Sequence, residues 1–154
     1  MSSDESGVAL VEFALVLPLL LLLLFGMLDF GKAFNYWIDE THLANETARW
    51  AVVNTNPGGG TLQSYVLSQA DTTELKNGGS SSVPNKAQVC ISFPTNTQTG
   101  TSGQVGDPVQ VTVSVTYDWM PFINSSTGLT NVTLTGQSTM RLEAKPTNYT
   151  AGCS

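Results

Sequence analysis

Apolar and polar positions follow three different rhythms along this chain. From Val8 to Leu28 nearly every residue is apolar. A run of that length suits a helix crossing a bilayer, which needs about 20 apolar residues at roughly 1.5 Å each. Beyond it, Phe30, Ala33, Phe34, Trp37, Ile38, Thr41, Ala44, Ala48, Ala51 and Val52 recur at three- and four-residue steps. Lys32, Asn35, Asp39, Glu40, Asn45, Glu46 and Arg49 fall opposite. This spacing predicts that the same helix continues over 29–53 as an amphipathic extension whose apolar stripe needs a cover. One helix from Val8 to Val53 would measure roughly 70 Å. The string from Asn54 to Gly60, with Pro57 and its glycines, ends it.

The third rhythm has period two. After a short helix over Leu62 to Ala70 and a loop from Thr72 to Asn85, three segments alternate: Ala87–Phe93, Pro108–Trp119 and Asn131–Leu142. In the second, Val109, Val111, Val113, Val115 and Tyr117 face one way. In the third, Val132, Leu134, Gln137, Met140 and Leu142 fit only with a slip of phase near Gly136, which predicts a bulge. Short links between alternating strands imply an antiparallel sheet with one buried face. The outer half of the long helix is its natural cover, an α+β plan. The organisation is thus a polar stretch over 1–7, a transmembrane helix over 8–28, its extension over 29–53, and a polar domain over 54–154.

Charge narrows the partners. The chain has 154 residues and a net charge of −6. Six scattered Lys and Arg neither neutralise a run of phosphates nor form a polybasic lipid patch, so nucleic acid is excluded as a partner. The apolar run leads into Asp29-Phe30-Gly31-Lys32, with no small-x-small cleavage site, so it reads as a retained anchor rather than a removed signal. Lys32 alone is a thin basis for orientation, and the large polar domain points outward against it.

Glu12 is the anomaly of the anchor. An acid at the centre of a bilayer costs about 3 kcal/mol and needs a partner or a proton, unless it sits near enough to the membrane face to reach water. Pro18 removes a helix hydrogen bond and crowds the carbonyl of Ala14, so a kink is expected there. Cys90 and Cys153 form no CxxC and have no neighbouring histidine, which argues against zinc. An even count in a chain leaving the cytoplasm favours one disulfide, the alternative being two unrelated thiols.

Catalytic signatures are missing from the sequence. No GxSxG, HExxH, P-loop or dinucleotide fingerprint occurs, and neither an enzyme activity nor a cofactor is expected. Asp39, His42 and Glu46 could share a helix face, but a solvated polar face explains them better than a metal. The N-x-S/T strings at Asn45, Asn124, Asn131 and Asn148 read as chance in a chain rich in Thr and Asn.

The N-terminal block resembles a known family. Gly7, then Val8-Ala9-Leu10-Val11, then Glu12-Phe13 and an apolar run, is similar to the processing motif of type IV pilin-like proteins. The longer string from Gly7 to Trp37 resembles the TadE-like family, the minor pseudopilins of the tight-adherence (Flp) pilus system. Thr47-Ala48-Arg49-Trp50-Ala51 is similar to that family's helix end. Tyr117-Asp118-Trp119-Met120-Pro121 and Ser138-Thr139-Met140-Arg141-Leu142-Glu143 fit its C-terminal half in pattern. The leader departs from the family: it reads Ser-Ser-Asp-Glu-Ser where Arg or Lys usually precedes the glycine.

The resemblance implies a pilin-like fold and roles for particular residues. Gly7 would end a leader removed by a prepilin peptidase, and Val8 would become the new N-terminus. Glu12, with Phe13 beside it, would set register by pairing with the free amine of a neighbouring subunit. Pro18 would loosen the helix for packing. Partners would be other pilin and pseudopilin subunits, the peptidase, the membrane and an inner-membrane assembly platform. The N-terminus would lie in the cytoplasm and the sheet outside, which also supports the Cys90–Cys153 bond. The alternative is a singly anchored surface binding module that does not polymerise. A small anchored enzyme is a distant third.

Overall fold

A computed structural model describes residues 4–121 and 131–154, with side chains from Gly7 onward. Residues 1–3, within the expected leader, and the N-x-S/T string at Asn124 lie outside the described residues. The elements are α1 (Asp4–Val52), α2 (Leu62–Ser68), α3 (Thr73–Asn77), β1 (Gln88–Ser92), β2 (Pro108–Tyr117), β3 (Val132–Arg141) and β4 (Gly152–Cys153). The chain divides into two units, one ending at Lys32 and one running from Ala33 to Ser154.

In the first unit α1 continues through Pro18 without interruption. Its apolar side chains face outward: Leu10, Phe13, Leu15 and Leu19 are all more than half exposed. This helix is long and apolar enough to cross a membrane.

The second unit is an α+β layer. Among the described residues its antiparallel sheet has four strands in the order β3-β2-β1-β4. Val109, Val111, Val113, Val115 and Tyr117 form the buried face of β2, as their alternation predicts. The remainder of α1, with α2 and α3, supplies Leu43, Leu62, Val66 and Leu75 to the same core.

The side of α1 that meets the sheet keeps the small residues of the predicted stripe, Ala33, Ala44, Ala48, Ala51 and Val52, but not its large ones. Ala33, Tyr36, Glu40, Leu43, Ala44, Thr47, Ala48 and Ala51 are buried, while Phe34, Trp37 and Ile38 are 44–49% exposed. Asp39 and Glu40, expected on the solvated side, are buried too. The sheet takes the side with the smaller residues because they let the helix backbone come close, and the large apolar residues are turned away.

The phase slip in β3 has the same cause. No bulge is present: β3 pairs with β2 in unbroken register from Pro108↔Arg141 to Tyr117↔Val132. Gly136 and Ser138 are the buried positions, and Gln137 faces outward with its neighbours Thr135 and Thr139. A Cβ on Gly136 would collide with the α1 backbone at Glu40 and Thr41. The apolar rhythm falters because the helix needs that space, not because the strand gains a residue.

Two further elements depart from the sequence reading. α3 interrupts the predicted loop over 72–85, and β4 pairs with β1 at the end of a tail for which no strand was predicted. α2 ends at Ser68, short of the predicted Ala70. The tail also closes the C-terminal end of α1. Val52 O accepts from the amides of Glu143 and Ala144. Asn54, at φ 54°, accepts from the amides of Thr147 and Asn148 through its side-chain carbonyl at 2.9 Å. The Tyr149 hydroxyl donates to Ala51 O at 2.8 Å. Carbonyls left over at a helix end thus find donors from the far end of the sequence.

Candidate functional site

The residues singled out for assembly all lie on the first unit of α1. Gly7, Val8, Glu12, Phe13 and Pro18 follow one another on a single exposed helix, with Phe13 62% exposed. Glu12 forms no ion pair among the described residues, whereas His42 and Glu46 approach to 3.9 Å. The next basic residue after it is Lys32. Twenty residues along a helix separate the two by about 30 Å, too far for contact. No basic side chain of this helix therefore reaches the carboxylate at 12, which needs another cation, a proton or water.

The second unit holds a pair of buried acids that sequence patterning assigns to solvent. Asp39 Oδ2 accepts from the amides of Asp71 at 3.0 Å and Thr72 at 3.2 Å, and from the Thr72 hydroxyl at 3.2 Å. It ties α1 to the start of α3. Glu40 is fully buried, and neither carboxylate oxygen has a hydrogen-bond partner. Burial, with the adjacent Asp39 charge second, raises its pKa from the ordinary 4.5 to about 8. The Val115 amide pulls the other way without completing a hydrogen bond. Glu40 is thus a neutral acid at pH 7, lodged where Gly136 lets the helix approach. The four-residue step Tyr36, Glu40, Ala44, Ala48 was the signal available in the sequence.

Asp107 organises the loop before β2. Its carboxylate accepts from Asn96 Nδ2 at 3.0 Å, the Thr101 hydroxyl at 2.8 Å and the Gln104 amide at 3.0 Å. Burial alone would raise its pKa, but these donors, the Gln104 amide foremost, hold it below the usual range. Cys90 and Cys153 are joined by a disulfide across the facing pair of β1 and β4.

The metal candidate comes apart. Asp39 is turned to α3, whereas the His42 side chain is 68% exposed beside Glu46. Among the described residues no set of three His, Cys, Asp or Glu is placed to hold a metal. What the arrangement offers chemically is a surface for association: an apolar helix carrying one unpaired acid, attached to a disulfide-closed sheet unit.

Residues 7–49 match the family model described as TadE-like protein, the family that this stretch resembles in sequence. The match runs from the glycine before the apolar run to Arg49, and the sheet lies outside it. The likeness is therefore confined to the long helix and leaves the rest of the chain unmatched. No curated protein and no solved structure matches the chain.

Proposed function

We propose that this chain is a minor pilin-like subunit, processed by a prepilin peptidase and assembled into a tight-adherence pilus that serves adhesion and surface colonisation. The observation that carries the reading is the TadE-like match across Gly7 and Glu12 on a helix whose apolar side chains are open to its surroundings. Cleavage between Gly7 and Val8 creates a cationic amine four residues before Glu12. On one helix, an amine at Val8 and a carboxylate at Glu12 are already neighbours, and a second subunit shifted along the axis offers the same pair in trans.

The helix stands in the inner membrane with its N-terminus in the cytoplasm and the sheet unit outside. That side is the oxidising one, which suits the disulfide. Assembly exchanges lipid around Val8 to Leu28 for the helices of other pilin and pseudopilin subunits on an inner-membrane platform. The acid sets register, because an uncompensated charge among apolar side chains costs several kcal/mol while a paired one costs far less. Pro18 lets the helix adjust locally.

The test is Glu12→Ala in cells that make the pilus. Membrane insertion should be unchanged and pilus recovery should fall at least about tenfold, the equivalent of about 1.4 kcal/mol of lost pairing. Normal recovery from the mutant would refute the assembly role.

A further inference from the structure

We propose that the open edge of β3 is a docking rail for an extended segment of a different protein subunit, which joins the sheet as a further strand. The inference rests on the reading of the chain as a membrane-anchored assembly subunit.

β3 is ten residues long and, among the described residues, ends the sheet on one side. The phase of its hydrogen bonds is set by the Leu142 amide, which donates to Asp107 O. Pairing alternates along an antiparallel ladder, so the even-numbered residues of β3 bond to β2 and the odd-numbered ones point away from it. The amides and carbonyls of Thr133, Thr135, Gln137 and Thr139 therefore line the free edge. No hydrogen bond from outside the strand reaches them among the described residues.

Edges left open in this way are unusual. Proteins guard them with charges, prolines, bulges or short strands. Between Val132 and Met140 there is no charge, no proline and no bulge. Arg141, at the end, is folded back to donate to Gly106 O. The opposite edge is guarded: β4 has two residues and is held by the Cys90–Cys153 bond.

The surroundings say what fits. A groove lined by His42, Asn45, Glu46 and Arg49 of α1 and Met140 of β3 runs beside this edge. Alternate side chains of an added strand would point into it. Glu46 is within reach of His42, whereas Arg49 has no ion pair among the described residues. The groove thus calls for a polar segment with a carboxylate opposite Arg49 and an apolar residue over Met140.

A second copy of this chain does not fit. Antiparallel pairing of two β3 edges uses a twofold axis perpendicular to the sheet, which reverses every element lying on it, the part of α1 from Ala33 onward included. Subunits that all run the same way along one assembly cannot meet that condition. Head-to-tail pairing would need the other edge, which is two residues long and closed.

Residue-resolved hydrogen exchange on the full chain tests this, first in detergent alone and then in membranes that are assembling the pilus. Alone, the amides of Thr133, Thr135, Gln137 and Thr139 should exchange at least about tenfold faster than those of Leu134, Gly136 and Ser138. In assembling membranes the odd-numbered set should slow by about tenfold or more, a period-two signature that docking on a sheet face would not leave. Thr135→Pro removes one outward donor and no inward bond, so it should retain the disulfide and lose that protection. Odd-numbered amides that stay fast in assembling membranes would overturn the inference, whatever becomes of the proline variant. So would cross-links between β3 of a labelled and an unlabelled copy. Glu12→Ala separates the two ideas: if it blocks assembly while wild-type edge amides stay fast, the edge is wrong and the pilin reading stands.

Discussion

Gly136 on β3 lies against the backbone of Glu40 on α1, so closely that no side chain fits between strand and helix. The contact joins the two main layers of the unit, and both neighbours are fixed backbone rather than flexible side chain. Gly136→Ala should therefore destabilise the protein by about 2 kcal/mol or more, the range of overpacking without room to relax. Thermal unfolding of the detergent-solubilised protein, followed by near-ultraviolet circular dichroism, should show the loss. Gly136→Ala unfolding at the wild-type temperature would mean that the helix can move away.

Glu40 makes stability fall as pH rises. Its pKa is raised from 4.5 to about 8 in the fold. Between those values the folded state holds a proton that the unfolded state has lost, so this group's contribution declines across that window and is gone above it. Glu40→Gln removes the ionisation. At pH 9 the variant should melt several degrees above wild type, since each pKa unit corresponds to about 1.4 kcal/mol, and near pH 5 the gap should close. Parallel melting profiles for the two proteins from pH 5 to 9 would contradict the neutral buried acid.

Asp107 acts at the other end of the scale. Its pKa is held down by its donors, so its contribution is present above the ordinary aspartate range and is lost as pH falls through the lowered value. Asp107→Asn exchanges an accepting oxygen for a donor opposite the Gln104 amide. Exchange of that amide should quicken, and the acid-side decline in stability should flatten. An unchanged Gln104 exchange rate would show that the carboxylate does not hold the loop.

The Cys90–Cys153 bond fastens a tail whose Tyr149 hydroxyl and main-chain amides cover the end of α1. Cys153→Ser should cost about 2–4 kcal/mol. The loss should appear as faster exchange at Glu143, Ala144 and Asn148 before global unfolding. Unaltered protection there would make the bond a local fastening of β4 alone.

Much of this fold is legible in the sequence because simple periodicities govern it. The alternation of Val109 to Tyr117 specifies a strand buried on one face, and the apolar run from Val8 specifies the anchor helix. The face of α1 that meets the sheet was legible only in its alanines, because close packing kept the small residues and took Glu40 in place of Phe34, Trp37 and Ile38. Hydrophobicity marks what avoids water, whereas the helix–sheet contact depends on how near two backbones can come. The same substitution of size for hydrophobicity hid Gly136. β4 was hidden for another reason: two residues carry no period, and their pairing depends on a partner 63 positions away. Of the candidate site, the spacing of Gly7 and Glu12 was plain, whereas the burial of Glu40 emerges only once Tyr36, Ala44 and Ala48 are seen on one side.

The central claim is that Val8 becomes the N-terminus beside Glu12. N-terminal sequencing of the protein extracted from pilus-producing membranes tests it directly. A chain beginning at Val8 is the predicted result; one beginning at Met1 or Ser2 would contradict it.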